Sequence, residues 1–257
     1  MKILISNDDG ATAQGIKFLN TELLKKHETI VVAPSKDRSG CSHGITLGEP
    51  IRVNKISANV YDCTGYPADC VLIGLGKFYK DQKPDLLVSG INHGANLGQD
   101  RFYSGTIAAA REAAFRGIPS IAISLVTKSI KDLEHFEVAA NFITKLIDLG
   151  IKDLIPQFSV LNINVPNLPA EEITGVEYAT SGFQLYSEEI IEREDGRGRK
   201  YYWVGGTYQG HSDIEGSDCN TTSSGKISID LQSLFISETT SEDIKKLKGF
   251  IKKLEKI

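Results

Sequence analysis

The chain has 257 residues, 40% of them hydrophobic and 24% charged, with a formal net charge of −4. That length suits one large domain, or a domain with an appendage, and is enough to bury a substantial core. The mildly acidic balance excludes general affinity for nucleic-acid polymers, no apolar run approaches the roughly 20 residues that cross a bilayer, and no signal-peptide pattern opens the sequence, so a cytoplasmic protein without membrane contact is expected. Cys41, Cys63, Cys70 and Cys219 have no paired C-x-x-C spacing and read as reduced thiols, neither a zinc site nor a disulfide framework.

The first element is the apolar run Lys2 to Ser6, closed by Asn7-Asp8-Asp9-Gly10. An apolar run ended by a turn signal reads as a buried strand of a parallel sheet, and ligands of open α/β sheets sit just beyond the carboxyl ends of such strands. Asp8 and Asp9 then stand at that edge. Adjacent carboxylates repel, and burying them without a counter-charge is costly. A hard divalent cation removes the cost and takes carboxylate, amide and hydroxyl oxygens as ligands. The same four residues also make a good solvated turn.

A helix is expected over Gly15 to Lys26 and a strand over Thr29 to Ala33, followed by the polar loop Pro34 to Gly44, rich in hydroxyls. Further helices are expected over Ala68 to Tyr79, Thr106 to Arg116 and His135 to Leu149, with strands at Asp85 to Ser89, Ser120 to Leu125 and Val160 to Val165. Strands interleaved with helices of this length build right-handed βαβ units and a parallel sheet. The loop Ser89 to Gly98 carries three glycines with Asn92 and Asn96, which suggests a shaped cavity; an ordinary long connection has similar composition. Tyr103-Ser104-Gly105-Thr106 opens an Ala-rich helix, whose free N–H groups and two hydroxyls suit a phosphate, although Ser104 also suits simple capping.

Beyond residue 166 the texture changes. Tyr178 to Tyr186, Lys200 to Gly205 and Lys226 to Leu231 read as strands without intervening helices, Glu188 to Lys200 as a hairpin tip or mobile loop, and Ser241 to Ile257 as an amphipathic helix. The expected organisation is an α/β core over residues 1–166, with a C-terminal β extension and terminal helix over 167–257 in the same functional unit. The fold class is α/β, a three-layer αβα arrangement around a mostly parallel sheet. Phe183, Tyr186, Tyr201, Tyr202 and Trp203 flank the charged stretch, and a lone two-stranded hairpin needs a surface to pack on. That hairpin is expected to pack on a second subunit.

Other chemistries fit less well. Ser39 or Ser42 beside His43 is not a nucleophile elbow, since no Gly-x-Ser-x-Gly exists. In a haloacid-dehalogenase register the nucleophile position would be Asn7, and an amide cannot serve there. Carboxylates stand where a dinucleotide site needs glycines.

Several motifs in order resemble the SurE family, the survival proteins known as 5′/3′-nucleotidases. They are Ser-Asn-Asp-Asp-Gly at 6–10, Val-Ala-Pro at 32–34, Arg-Ser-Gly at 38–40, Gly-Tyr-Pro-Ala-Asp-Cys-Val at 65–71, Ser-Gly-Ile-Asn at 89–92, Gly-Ala-Asn-Leu-Gly at 94–98 and Tyr-Ser-Gly-Thr at 103–106. The match lies in the first half, with Leu-Asn-Ile-Asn-Val-Pro at 161–166 its clearest later echo. The resemblance implies a Rossmann-like fold and a metal-dependent phosphomonoesterase acting on nucleoside 5′- and 3′-monophosphates. It implies one divalent cation, Mg²⁺ or Mn²⁺, per subunit, held by Asp8, Asp9, Ser39 and Asn92, with Asp8 or Asp9 orienting the attacking water. Asn96, Ser104, Gly105 and Thr106 would lie by the phosphate, and the C-terminal portion would support a homodimer or homotetramer. His43 or His93 is a candidate acid for the leaving group. One stretch departs from the family: near residues 212–231 Ser217-Asp218 replaces a Thr-Asp pair, and Gly225-Lys226 and Asp230-Leu231 replace Gly-Tyr and a Thr-Pro-Leu ending. Two other functions stay open on the residues themselves: an exopolyphosphatase or broad phosphatase, and a non-catalytic nucleotide-binding module.

Overall fold

A computed structural model describes residues 1–127, 134–187 and 189–234. Its parallel strands in chain order are β1 (Lys2–Ser6), β2 (Glu28–Pro34), β4 (Val60–Cys63), β5 (Leu86–His93), β6 (Ser120–Val126) and β7 (Ser159–Pro166), and the short β3 (Val53–Lys55) runs antiparallel on the edge beside β4. The α-helices are α1 (Gln14–Leu23), α2 (Pro67–Ile73), α3 (Gly105–Phe115), α4 (Phe136–Asp148) and α5 (Asp218–Ser223). Across the sheet the parallel strands lie in the order β4-β2-β1-β5-β6-β7, which is the doubly wound order. From β1 the chain winds outward through β2 on one side and later through β5 on the other. The crevice beyond the carboxyl ends of β1 and β5 is therefore the topological switch point, and both the Asp8-Asp9 pair and the Asn-rich loop open into it.

Side-chain alternation along the strands builds two cores. Ile3, Ile5, Val31, Val88 and Ile121 face α1 and α4, packing on Ile16, Leu19, Leu23, Ala140 and Ile143. Leu4, Val32, Leu87 and Ala122 face the other way, onto Cys70 and Val71 of α2 and onto Ile107, Ala110 and Ala113 of α3. Strands apolar on both faces are what a sheet covered on both sides requires.

The helix expected to reach Tyr79 is α-helical only to Ile73 and continues as a π turn over Gly74–Phe78. A Cβ on Gly74 would come within 2.8 Å of Leu4, so the chain lies flush on β1 there. The strand expected to stop at Ser89 runs on to His93 through a bulge between Ser89 and Asn92. Gly90 makes this possible: its φ is +138°, and a Cβ there would meet the Ile123 carbonyl oxygen at 2.2 Å.

The sheet does not end at residue 166. β13 (Lys226–Ser233) pairs antiparallel with β7, from Ser228 opposite Asn164 to Ser233 opposite Ser159, and β8 (Gly175–Tyr178) pairs parallel with β13. The stretch read as one strand over 178–186 is divided between β8 and β9 (Gln184–Tyr186), and β9 pairs with β12 (Tyr208–His211). Helix α5 interrupts the region expected to be free of helices. Between β9 and β12 projects the hairpin of β10 (Glu189–Glu194) and β11 (Lys200–Gly205). The helix expected over 241–257 lies outside the described residues. Among the described residues no helix is long and apolar enough to cross a membrane.

Candidate active site

The switch-point crevice holds a pocket of about 340 Å³, and its wall includes Asp8, Ser39, Asn92, Asn96 and Ser104. Five of the eight residues expected at the site thus come together from the ends of β1, β2 and β5 and the start of α3, whereas Asp9, Gly105 and Thr106 are not on that wall. Asp8 follows β1 and is 3% exposed. Its Oδ2 accepts the Gly105 N–H at 3.0 Å, and its Oδ1 accepts the Thr106 hydroxyl. The same hydroxyl lies 3.3 Å from Asn92 Oδ1, so the Asp8 carboxylate and the Asn92 amide oxygen converge on one point. Asn92 is itself held by its Nδ2, which donates to the Gly94 carbonyl at 2.8 Å. Asp9 Oδ2 accepts the His93 backbone N–H at 3.1 Å. Ser39 is exposed on the rim, and its N–H and hydroxyl both donate to Asp37 Oδ1 (2.7 and 2.6 Å), which leaves the hydroxyl oxygen able to accept.

Asn96 is buried and fixed on all sides. Its N–H donates to Asn164 Oδ1 (2.8 Å), its Nδ2 to Ser124 Oγ (2.8 Å), and its carbonyl accepts from Asn162 and Asn164 (3.0 and 3.2 Å). Ser104 caps α3, its Oγ accepting the Ile107 N–H at 3.0 Å, so the hydroxyl proton remains free to donate into the pocket.

The family model described as Survival protein SurE matches residues 3–188. The chain belongs to the SurE family. A curated relative named 5′-nucleotidase SurE, from Vibrio parahaemolyticus, is 42% identical over 252 residues, which is 98% of this chain and 95% of the relative. A relative of the same name from Geotalea uraniireducens is 44% identical over 229 residues, 89% of this chain and 91% of its own. The crystal structure of the SurE protein from Aquifex aeolicus matches with a TM-score of 0.82 at 35% identity, covering 96% of this chain and 100% of that one.

In this SurE chain two residues expected beside a phosphate are spent on Asp8. Gly105 and Thr106 are not on the pocket wall; their donors hold the carboxylate. A Cβ on Gly105 would lie 2.7 Å from Asp8 Cβ and 2.8 Å from Cys41 Sγ, so glycine is needed where α3 abuts β1. Each candidate histidine faces a carboxylate: His93 lines the pocket with its Nε2 2.8 Å from Glu134, whereas His43 lies off the pocket wall, 3.1 Å from Glu112 of α3 and stacked on Phe115.

Burial pushes the Asp8 carboxyl above the ordinary carboxylate range, against hydrogen bonds from Thr106 and Gly105 that hold it down. Asp9 is pushed up to about 7, first by burial and then by the charge of Asp8. No Lys, Arg or His among the described residues pairs with either carboxylate. A buried and a half-buried acid without a counter-charge, beside an amide oxygen and a hydroxyl, form an all-oxygen donor set that fits a hard divalent cation. Among the described residues no group of three or more His, Cys, Asp or Glu is placed to hold a metal, so a cation here depends on the amide and hydroxyl oxygens as well.

Asp218 is named by the sequence only within Ser217-Asp218, with no role assigned. It is 1% exposed, and its carboxylate accepts the N–H groups of Gly98 (2.9 Å) and Gly182 (2.7 Å). It thereby ties the loop after β5 to the root of β9. Its place after Ser217, a good N-cap, was the one local signal.

Proposed function

We propose that this chain is a nucleotidase that hydrolyses nucleoside 5′-monophosphates, and 3′-monophosphates, to nucleoside and phosphate. The observation that carries the reading is the Asp8-Asp9 pair: a buried and a half-buried carboxylate, both with raised pKa, no cationic partner among the described residues, and a convergent amide oxygen at the switch point. The relatives named 5′-nucleotidase SurE support the substrate class. Asp8, Asp9, Ser39 and Asn92 would hold one Mg²⁺ or Mn²⁺ per subunit. When bound, that cation supplies Lewis acidity toward a phosphoryl oxygen and offsets its charge.

The chain's own groups do the rest. Gly105 and Thr106 fix Asp8, and the His93 N–H fixes Asp9, whose second oxygen is left to orient the attacking water. The Ser104 hydroxyl donates toward the phosphoryl oxygens, where charge develops, while the first N–H groups of α3 serve Asp8 and the Ser104 cap. Asn96, fixed by Ser124, Asn162 and Asn164, shapes the wall against which the phosphate rests. His93, at the pocket wall, is better placed than His43 to protonate the leaving oxygen.

The subunit is at least a homodimer in this reading. In the β10–β11 hairpin Val204 is 88% exposed, Ile190 72% and Trp203 63%, a surface that an isolated chain would leave wet. The four cysteines carry no disulfide, which suits a reducing compartment, and we place the enzyme in the cytoplasm.

The test is phosphate release from a substrate panel by purified protein, after chelation and after adding back Mg²⁺ or Mn²⁺. Activity on nucleoside monophosphates should vanish with chelator and return with the cation. Undiminished turnover in chelator, or preference for polyphosphate over nucleotides, would overturn the reading.

A further inference from the structure

Beside the Asp8 pocket lies a second cavity of about 180 Å³. Ala95, Asp100 and Tyr186 belong to both walls, so the two cavities are halves of one cleft that meet at Asp100 and Tyr186. Joined, they fall in the size range of small-molecule sites, roughly 300–1,000 Å³. The halves differ in chemistry. The first is lined by carboxylate, amide and hydroxyl oxygens, whereas in the second Leu97, Val126, Tyr186 and Tyr208 supply an apolar wall.

The two tyrosines face each other from paired strands, Tyr186 on β9 opposite Tyr208 on β12. Their rings meet edge to face with centroids 5.9 Å apart. Each ring is tethered at its hydroxyl: Tyr186 donates to Asp100 Oδ2, and Tyr208 pairs with His211 Nδ1 at 3.1 Å. The two residues nevertheless remain 43% and 48% exposed. Fixed aromatic rings with open faces are a stacking platform.

Asp100 stands at the junction of the two halves. Gln184 Nε2 (2.5 Å) and the Tyr186 hydroxyl both donate to its Oδ2, while its Oδ1 accepts no hydrogen bond among the described residues. The loop that carries it is anchored by Asp218 through Gly98, and there is no room for a side chain at that anchor, since a Cβ on Gly98 would meet the Gly182 carbonyl oxygen at 2.8 Å. This carboxylate is oriented before any ligand arrives and has one free acceptor. A phosphate seated in the first half leaves the rest of a nucleotide to cross this junction: first a ribose, which offers hydroxyl donors, then a flat base. A carboxylate that accepts from ribose hydroxyls is a general device of nucleotide sites.

We propose that the second cavity is the nucleoside subsite of this enzyme, with the base against Tyr186 and Tyr208 and a ribose hydroxyl donating to Asp100 Oδ1. The proposal rests on the nucleotidase reading and adds to it the residues that recognise the leaving group. Tyr186, Tyr208 and Asp100 act in binding and specificity, and no chemical step is assigned to them.

The test compares AMP, ribose 5-phosphate and glycerol 2-phosphate as substrates, and measures adenosine binding by calorimetry. Tyr208→Ala should raise KM for AMP about tenfold, the scale of one lost base stack, and several times more than KM for ribose 5-phosphate. Tyr208→Phe should restore the AMP value. Asp100→Asn should raise KM for AMP and ribose 5-phosphate relative to glycerol 2-phosphate. Thermal melts should keep all three variants near wild type, because both Tyr208 and Asp100 border open space. Equal KM changes across the three substrates, or none, would overturn the subsite, as would adenosine affinity that Tyr208→Ala leaves intact or a wild type that does not bind adenosine. A wild type that cleaves glycerol 2-phosphate but not AMP would instead overturn the nucleotidase reading, and the adenosine measurement would still decide the subsite.

Discussion

The crevice around Asp8 and the β10–β11 hairpin are opposite solutions to the placement of polar and apolar groups. In the crevice the polar groups are buried and held: Asp8, Asn96, Ser104 and Thr106 are all nearly inaccessible, and each is fixed by donors or acceptors from distant segments. In the hairpin every residue of β10 and β11 is exposed, and Ile190, Trp203 and Val204 lie among them. Its order is local. The cross-strand ladder runs from Glu189 opposite Gly205 to Glu194 opposite Lys200, and Asp195 closes the tip by accepting the N–H groups of Arg197 and Arg199 (2.8 and 3.0 Å). The crevice sets a buried carboxylate beside a half-buried one with no cationic partner among the described residues, whereas the hairpin leaves large apolar side chains exposed.

The largest effect expected from breaking the crevice is on turnover. Asp8→Asn or Asp9→Asn should cut the rate about a hundredfold or more, several kcal/mol of transition-state stabilisation, with an unchanged circular dichroism spectrum. Full activity of either variant would mean that the chemistry lies elsewhere.

Gly105→Val and Thr106→Ala test whether α3 serves Asp8. The valine side chain must displace Asp8 or Cys41, a strain of about 1–3 kcal/mol or more, whereas Thr106→Ala removes one donor. Gly105→Val should lower both the melting temperature and kcat, and Thr106→Ala should lower kcat by about tenfold. Equal, small effects of the two would argue against a tight α3–β1 junction.

The charge pair should also be visible in stability. Asp9 is raised to about 7 from an unfolded value of 3.8, so its protonated form favours the folded state. That contribution is fully present below about pH 4 and is lost as pH rises through 7. In chelator the unfolding free energy should therefore fall by on the order of a few kcal/mol between pH 5 and pH 8, and the melting temperature with it. Added Mg²⁺ or Mn²⁺, or Asp9→Asn, should flatten the slope. An identical slope in Asp9→Asn would assign it to other groups.

The smallest effect on turnover is expected from the hairpin. Ser187 and Gly206 lie side by side, with the Ser187 N–H donating to the Thr207 carbonyl at 3.0 Å, so a short glycine-rich turn can replace residues 189–205. The trimmed protein should keep most of its activity and move toward monomer in light scattering. If its mass does not change, or if the wild type is already monomeric, the hairpin is no subunit contact.

Much of the fold was legible because its signals are carried by neighbouring residues. The apolar run of β1 and the 3.6-residue pattern of α4 are properties of a few consecutive positions, and the structure has elements there within a residue or two. The Asp8-Asp9 pair stood out as a candidate for the same reason: two carboxylates at the end of a buried strand are unusual chemistry whatever surrounds them. The boundary near 166 followed a change in texture, and texture does not report that β13 returns to lie between β7 and β8.

By itself, then, the sequence determined a mostly parallel α/β core, the sheet edge at which candidate polar groups gather and the family to which the chain belongs, because periodicity, turn residues and short motifs are local. Tertiary structure alone decided which donors serve which acceptors. Gly105 reaches Asp8 across 97 positions, Gly98 reaches Asp218 across 120, and Tyr186 reaches Asp100 across 86. Such pairs leave no periodic trace in the chain; they exist because the sheet's winding brings the ends of β1 and β5, the start of α3 and the root of the hairpin to one crevice.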